Sequence, residues 1–115
     1  MNFERNDCGS SERADCTVRA LALTLGIDYG FAHQRLRAMG RKNGCRFKVD
    51  WGQLGFQMRP DLCCRTLGSV LPEMQSGRFI VRITRHVFAV IDGKVIDQRM
   101  PSERCRMKMV YQFIP

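Results

Sequence analysis

Three side chains in this sequence carry reactive chemistry: Cys16, His86 and Asp97. Cys16 follows Asp15 and opens a stretch in which Val18, Leu21, Ala22 and Leu25 recur at helical spacing. A cysteine at a helix start faces unpaired backbone N–H groups and the positive end of the helix dipole, which favour thiolate over thiol. The thiolate is the form that attacks an acyl carbon, and the same amides can hold the oxyanion that attack creates. His86 and Asp97 flank Asp92-Gly93, the strongest hairpin signal in the chain. A two-residue turn there pairs Ile91 with Lys94 and sets Phe88 opposite Asp97. His86 and Asp97 then become diagonal neighbours on one face, with Cβ atoms about 7–8 Å apart or less. That is within reach of a carboxylate–imidazole hydrogen bond, which would fix the tautomer and orientation of the ring. Read singly, each residue has a plainer role: a buried cysteine, a strand-start histidine, a surface carboxylate. Strand period, turn type and residue identity agree independently, and that agreement joins them as nucleophile, general base and orienting group. His33, the other histidine, sits beside Gln34 and Arg35 on what reads as a solvated helix face.

The elements that must hold these groups follow from the pattern. Residues 1–14 are polar and read as a loop. Asp15 suits an N-cap for the first helix, and Gly26 suits its end. Asp28 caps a second helix with Ala32, Leu36 and Met39 on one face; Gly40 stops it, and Arg41-Lys42 suit its C-terminal dipole. Asp50 reads as the cap of a short helix holding Trp51 and Leu54. Residues 62–66 read as a short strand and 69–75 as a further short helix. Beyond Gly77 the period becomes strand-like, with strands expected at 79–83, 86–91 and 94–98. A half-buried strand is expected over 105–113, where Cys105, Met107, Met109, Tyr111 and Phe113 alternate with more polar residues. Helices first and strands afterwards predict an α+β fold, with N-terminal helices packed on a C-terminal antiparallel sheet.

The chain has 115 residues, enough for one domain with its own core. No apolar run is long enough to span a bilayer, and the first residues lack a signal-peptide core. The expectation is a cytoplasmic protein with no membrane partner. Six cysteines are many for this length. Without a sign of secretion they do not suggest disulfides. No C-x-x-C pair exists, and the adjacent Cys63-Cys64 suits a tetrahedral site poorly, so no metal and no cofactor is expected. Most of the cysteines are expected to be small buried hydrophobes. The net charge is +8, and arginine supplies 15 of the 19 basic residues. That charge permits a nucleic-acid partner. The arginines are scattered, however, and Phe31, Phe56 and Tyr111, the candidates for base stacking, fit core stripes as well. Nucleic acid is therefore not the favoured partner.

With these residues in view, the sequence resembles the papain-like cysteine peptidase superfamily. The likeness lies in Asp15-Cys16-Thr17-Val18-Arg19-Ala20-Leu21-Ala22, in Arg85-His86-Val87-Phe88-Ala89-Val90 and in Val95-Ile96-Asp97. They follow that family's order of cysteine, histidine and Asp or Asn. Residues 15–22 and 77–97 look most like segments of small phage-type proteins and bacteriocin-leader peptidases. The resemblance implies a minimal papain-like core spanning 1–115, and a thiol hydrolase cleaving a peptide, isopeptide or amide bond in a protein or peptide substrate. It also raises Cys8 as a second candidate nucleophile, because Asp7-Cys8-Gly9 is similar to a motif of the leader peptidases. Cys16 is preferred: a helical pattern follows it at once, whereas Gly-Ser-Ser-Glu follows Cys8. Papain-type enzymes carry a glutamine ahead of the nucleophile to complete the oxyanion hole. No glutamine precedes Cys16; Ser10, Ser11 and Asn6 are the polar residues of that region. The alternative is a basic, phage-encoded binding or inhibitor protein on the same scaffold, directed at a host protein or nucleic acid.

Overall fold

The helical spacing that begins at Cys16 is realised in the computed structural model as α1, Cys16–Leu25. The structure describes residues 1–9, 14–42, 44–45 and 47–115. Gly26 ends α1 in the left-handed conformation, φ 64°, and the Ile27 N–H closes the end on the Ala22 carbonyl at 3.0 Å. Thr24 interrupts the apolar run at no cost, because its hydroxyl donates to the Ala20 carbonyl at 2.8 Å. Asp28 caps α2, Tyr29–Ala38, by accepting the N–H groups of Gly30 and Phe31. A 3-10 turn, Trp51–Leu54, forms where the short helix was expected, but the Asp50 side chain makes no cap hydrogen bond.

Six strands form one sheet in the order β1-β5-β4-β3-β6-β2. They are β1 (Phe3–Arg5), β2 (Phe56–Met58), β3 (Arg78–Ile83), β4 (His86–Ile91), β5 (Lys94–Asp97) and β6 (Met109–Phe113). The Asp92-Gly93 hairpin has the anticipated register: Ile91 pairs with Lys94, Val90 with Val95 and Ala89 with Ile96. Both turn residues have positive φ, 48° and 79°, which matches the twist of the flanking strands. Glycine at 93 is favoured by its φ of 79°, and a side chain there would also push the Gln75 amide aside.

Both faces of the sheet are covered. On one face Ile80 and Val87 pack with Val18, Leu21 and Ala22 of α1, Ala32 and Leu36 of α2, and Trp51. On the other, Phe79, Val81, Phe88, Val90 and Val95 pack under Leu62, α3 (Leu67–Val70) and Leu71, Met74 and Met107. Double coverage explains why Phe79-Ile80-Val81 and Val87-Phe88-Ala89-Val90 are buried without a break.

Five expectations are corrected. Residues 1–14 are not all loop: Phe3–Arg5 is a strand, parallel to β5 in register Phe3–Val95, Glu4–Ile96 and Arg5–Asp97. The sheet is consequently mixed rather than antiparallel, and it is not confined to the C-terminal half. No strand forms over 62–66. Pro60–Leu62 is a 3-10 turn, Cys64 is left-handed at φ 65°, and Thr66 makes one isolated bridge to Arg106. The last strand is shorter than its alternation suggests, because Met107 is tied to residues 64–65 instead: its N–H donates to the Arg65 carbonyl and its carbonyl accepts from Cys64. The cysteines are free and none is fully buried; Cys45 and Cys64 are exposed.

Candidate active site

Helix α1 meets the sheet at the first residues of β4, and the reactive groups gather there. Strand parity puts Val87 on the face that carries α1, and His86 on the other face with Phe88, Val90 and Asp97. His86 is the first residue of its strand, so its ring stands at the end of the sheet, where the start of α1 also lies. Cys16 and His86 line one cleft, and the His86 ring and the Val87 backbone N–H both act on the Cys16 sulfur to favour its charged form. On its other side, His86 Nε2 lies 2.6 Å from Asp97 Oδ2. This leaves Nδ1 as the ring nitrogen for Cys16. The diagonal relation counted from the hairpin turn thus joins imidazole and carboxylate, and the start of α1 sets Cys16 beside them in the cleft.

Asp97 is held from several directions. It is 5% exposed. Its Oδ1 accepts the Gln98 N–H at 2.7 Å, and its carbonyl accepts the Asn6 N–H at 2.9 Å. Strand β1, which sequence reasoning missed, covers the outer edge of β5 and fixes the strand that carries this carboxylate. Next to it, the His86 ring stacks 6.0 Å from the Phe88 ring.

The chain just ahead of the nucleophile is also pinned. Asp15 is 1% exposed and its side chain does not cap α1. Its carboxylate accepts instead from the Arg19 guanidinium and, at 2.7 Å, from the Tyr29 hydroxyl. Arg41, expected to serve the dipole of α2, is 3% exposed and donates to the Ala14 carbonyl at 3.2 Å. Neither role has a local sequence signal, since each joins segments distant in the chain. Without a side-chain cap, the first N–H groups of α1 keep the donor capacity that intrahelical bonds cannot use.

A cleft of about 710 Å³ opens over Cys16 and His86, walled in part by Phe47, Ile83 and Val87 and lined also by Thr17 and Arg82. Thr17 is 7% exposed and its hydroxyl is buried without a partner.

Electrostatics separate the two partners from ordinary groups. Burial alone would raise the Cys16 thiol. The hydrogen bonds from His86 and the Val87 N–H, with the charges of His86 and Arg19, outweigh it and bring the thiol below its usual value. The hydrogen bonds to Asp97 and Cys16 raise His86 to about 9, against the opposing effect of its burial. Near neutral pH His86 is therefore held as imidazolium, and Cys16 ionises more readily than an ordinary thiol.

No family model, curated protein or solved structure matches the chain. The chemistry of the site thus rests on its own geometry. The other residues singled out in the sequence lie elsewhere. Asn6 does not line the cleft; its side-chain oxygen accepts the Cys8 N–H at 2.9 Å, and it borders a separate small hollow. Ser10 and Ser11 lie outside the described residues. Cys8 lies outside the cleft lining, its sulfur 4.0 Å from the Arg19 carbonyl, and burial raises its thiol. His33 packs its ring 6.0 Å from that of Tyr29. Among the described residues no group of His, Cys, Asp and Glu could hold a metal ion, and no helix is long and apolar enough to cross a membrane.

Proposed function

We propose that the protein is a thiol hydrolase with a minimal papain-like core, cleaving a peptide, isopeptide or amide bond. One observation carries this reading: His86, bonded to the buried Asp97 at 2.6 Å, faces the same open cleft as Cys16 and acts on its sulfur. The Cys16 thiolate attacks the acyl carbon. Protonated His86 gives its proton to the leaving amine, and a thioester forms on Cys16. The resulting neutral ring then takes a proton from water, which attacks the thioester and releases the acid. Asp97 keeps Nδ1 directed at sulfur and supports the charged ring.

In this reading the amides at the start of α1 and the Thr17 hydroxyl, which lines the cleft without a partner, would serve the developing oxyanion. The reading assigns the cytoplasm as its compartment and a protein or peptide as its substrate.

An activated ester tests the mechanism without a known substrate. With p-nitrophenyl acetate, the parent should release a burst of nitrophenolate and gain one acetyl group at Cys16, seen by intact mass and peptide mapping. Cys16→Ala should lose both with its fold retained. Turnover that survives Cys16→Ala would overturn the mechanism. A second reading, a basic binding protein on the same scaffold, is favoured by the lack of a glutamine before Cys16 and by the cations around the cleft. It predicts no burst in either protein.

A further inference from the structure

The cleft above Cys16 is lined by more positive charge than the local structure neutralises. Lys48 comes from the loop before Trp51, Arg82 from β3, Arg85 from the β3–β4 turn and Lys108 from the run into β6. None of these four forms an ion pair with a described residue. The Arg82 Nε–H is buried and has no partner. Among the described residues lining the cleft, Asp15 is the one acid, and Arg19 and Tyr29 already engage its carboxylate. Cations that converge from four segments on one cavity repel one another, and a buried donor without an acceptor is costly. An anion in the cleft would relieve both.

The walls narrow the kind of anion. Phe47, Ile83 and Val87 supply apolar surface beside the cations, which suits aliphatic stems and backbone. The cavity, about 710 Å³, has the size of a site for a few residues. A nucleic-acid strand would instead need a long basic groove with a row of stacking aromatics.

Building on the thiol-hydrolase reading, we propose that the cleft selects peptides bearing a carboxylate close to the acyl group that Cys16 attacks, with half-buried Arg82 as its principal anchor and the exposed Lys48, Arg85 and Lys108 around it. The carboxylate belongs to an acidic side chain or to a chain terminus.

The test compares two alkylating agents that differ in charge. Each forms the same carbon–sulfur bond and expels iodide, but iodoacetate carries a carboxylate and iodoacetamide does not. Rates are read at Cys16 by peptide mapping, and the ratio of the two rates is the readout. The His86 imidazolium gives some preference for iodoacetate by itself, so the ratio is compared between the parent, Arg82→Gln, and the double variant Arg85→Gln/Lys108→Gln, whose two sites are exposed. The parent ratio should exceed that of either variant by about three- to tenfold, and the gap should close at about 0.5 M salt. Amidated acetyl-tetraaspartate and free-acid tetraalanine are then tested as protectants of Cys16 against iodoacetamide. Protection by the first assigns side-chain carboxylates, and by the second a terminal one; either supports the proposal.

Fast iodoacetamide labelling of Cys16 with the same ratio in parent and variants would overturn the proposal and leave the hydrolase reading standing. So would better protection by oligothymidylate than by either peptide. Slow labelling of Cys16 by both reagents would overturn the hydrolase reading first.

Discussion

Cys8 and Cys16 lie eight positions apart, pack against the same core cluster and feel the same Arg19, yet their thiols shift in opposite directions. Burial pushes both up. At Cys8 nothing reverses it: the Arg19 charge helps, while Asp7 and Asp15 oppose. At Cys16 two hydrogen-bond donors, His86 and the Val87 N–H, act directly on sulfur. Neither burial nor a nearby guanidinium, then, by itself brings a thiol below its usual value. Donors brought from β4 to the start of α1 do, and they exist at that one end of the sheet because α1 begins beside the first residues of β4.

The largest expected effect comes from removing the donor that Cys8 lacks. His86→Ala should cost about 10²–10⁴-fold in ester turnover and bring the Cys16 labelling rate toward that of Cys8. A Cys16 that kept its advantage would assign the lowered thiol to the Val87 N–H and the Arg19 charge instead. Next in size is Arg19→Ala, which acts on both thiols. It removes the guanidinium bonded to the buried Asp15, at a cost of about 1.5–3 kcal/mol in unfolding free energy, readable by urea denaturation. In whatever fraction remains folded, both Cys8 and Cys16 should become harder to ionise, while the contrast between them persists.

Asp97→Asn sharpens the comparison through pH. The folded His86 sits near 9 against 6.5 for an ordinary histidine, so the folded state binds its proton more tightly than the unfolded chain does. Its contribution to stability is complete below about pH 6.5 and is lost as pH rises through about 9. Ester turnover in the parent should rise as the thiolate forms and fall near pH 9 as the imidazolium is lost. In Asp97→Asn the falling limb should move to lower pH. Above that limb, every pH unit by which it moves should leave about tenfold less imidazolium. An unmoved limb would remove Asp97 from the chain of hydrogen bonds. The smallest effect belongs to Cys8→Ser, for which turnover and Cys16 labelling should stay within about twofold of the parent, since exposed or uncoupled sites seldom exceed about 0.5 kcal/mol. A large loss there would reopen Cys8 as the nucleophile.

The site was more legible in the sequence than the sheet that carries it. One turn, Asp92-Gly93, sets the register between β4 and β5 by counting, so His86 and Asp97 could be matched from the residues alone. Helix α1 announced itself by spacing and by Gly26. Strand β1 did not, because three residues with polar neighbours show no period; it exists by pairing with β5, a segment distant in the chain. β2, also three residues long, was hidden in the same way beside β6. The strand expected at 62–66 fails because Pro60 and the left-handed Cys64 break the extended run. Asp15 and Arg41 were read by local rules, as a cap and a dipole partner, whereas tertiary partners use them to hold the chain ahead of Cys16. Local grammar located the reactive groups, and long-range packing supplied the clamp around them.

The most direct test of the account is the iodoacetamide rate of each cysteine against pH, by peptide mass mapping, in the parent and in His86→Ala. A thiolate paired with an imidazolium predicts that Cys16 alone labels fast at a pH well below that at which Cys8 reacts, and that it loses this lead without His86. Equal behaviour of Cys16 and Cys8 in the parent, or a faster Cys8, would contradict it.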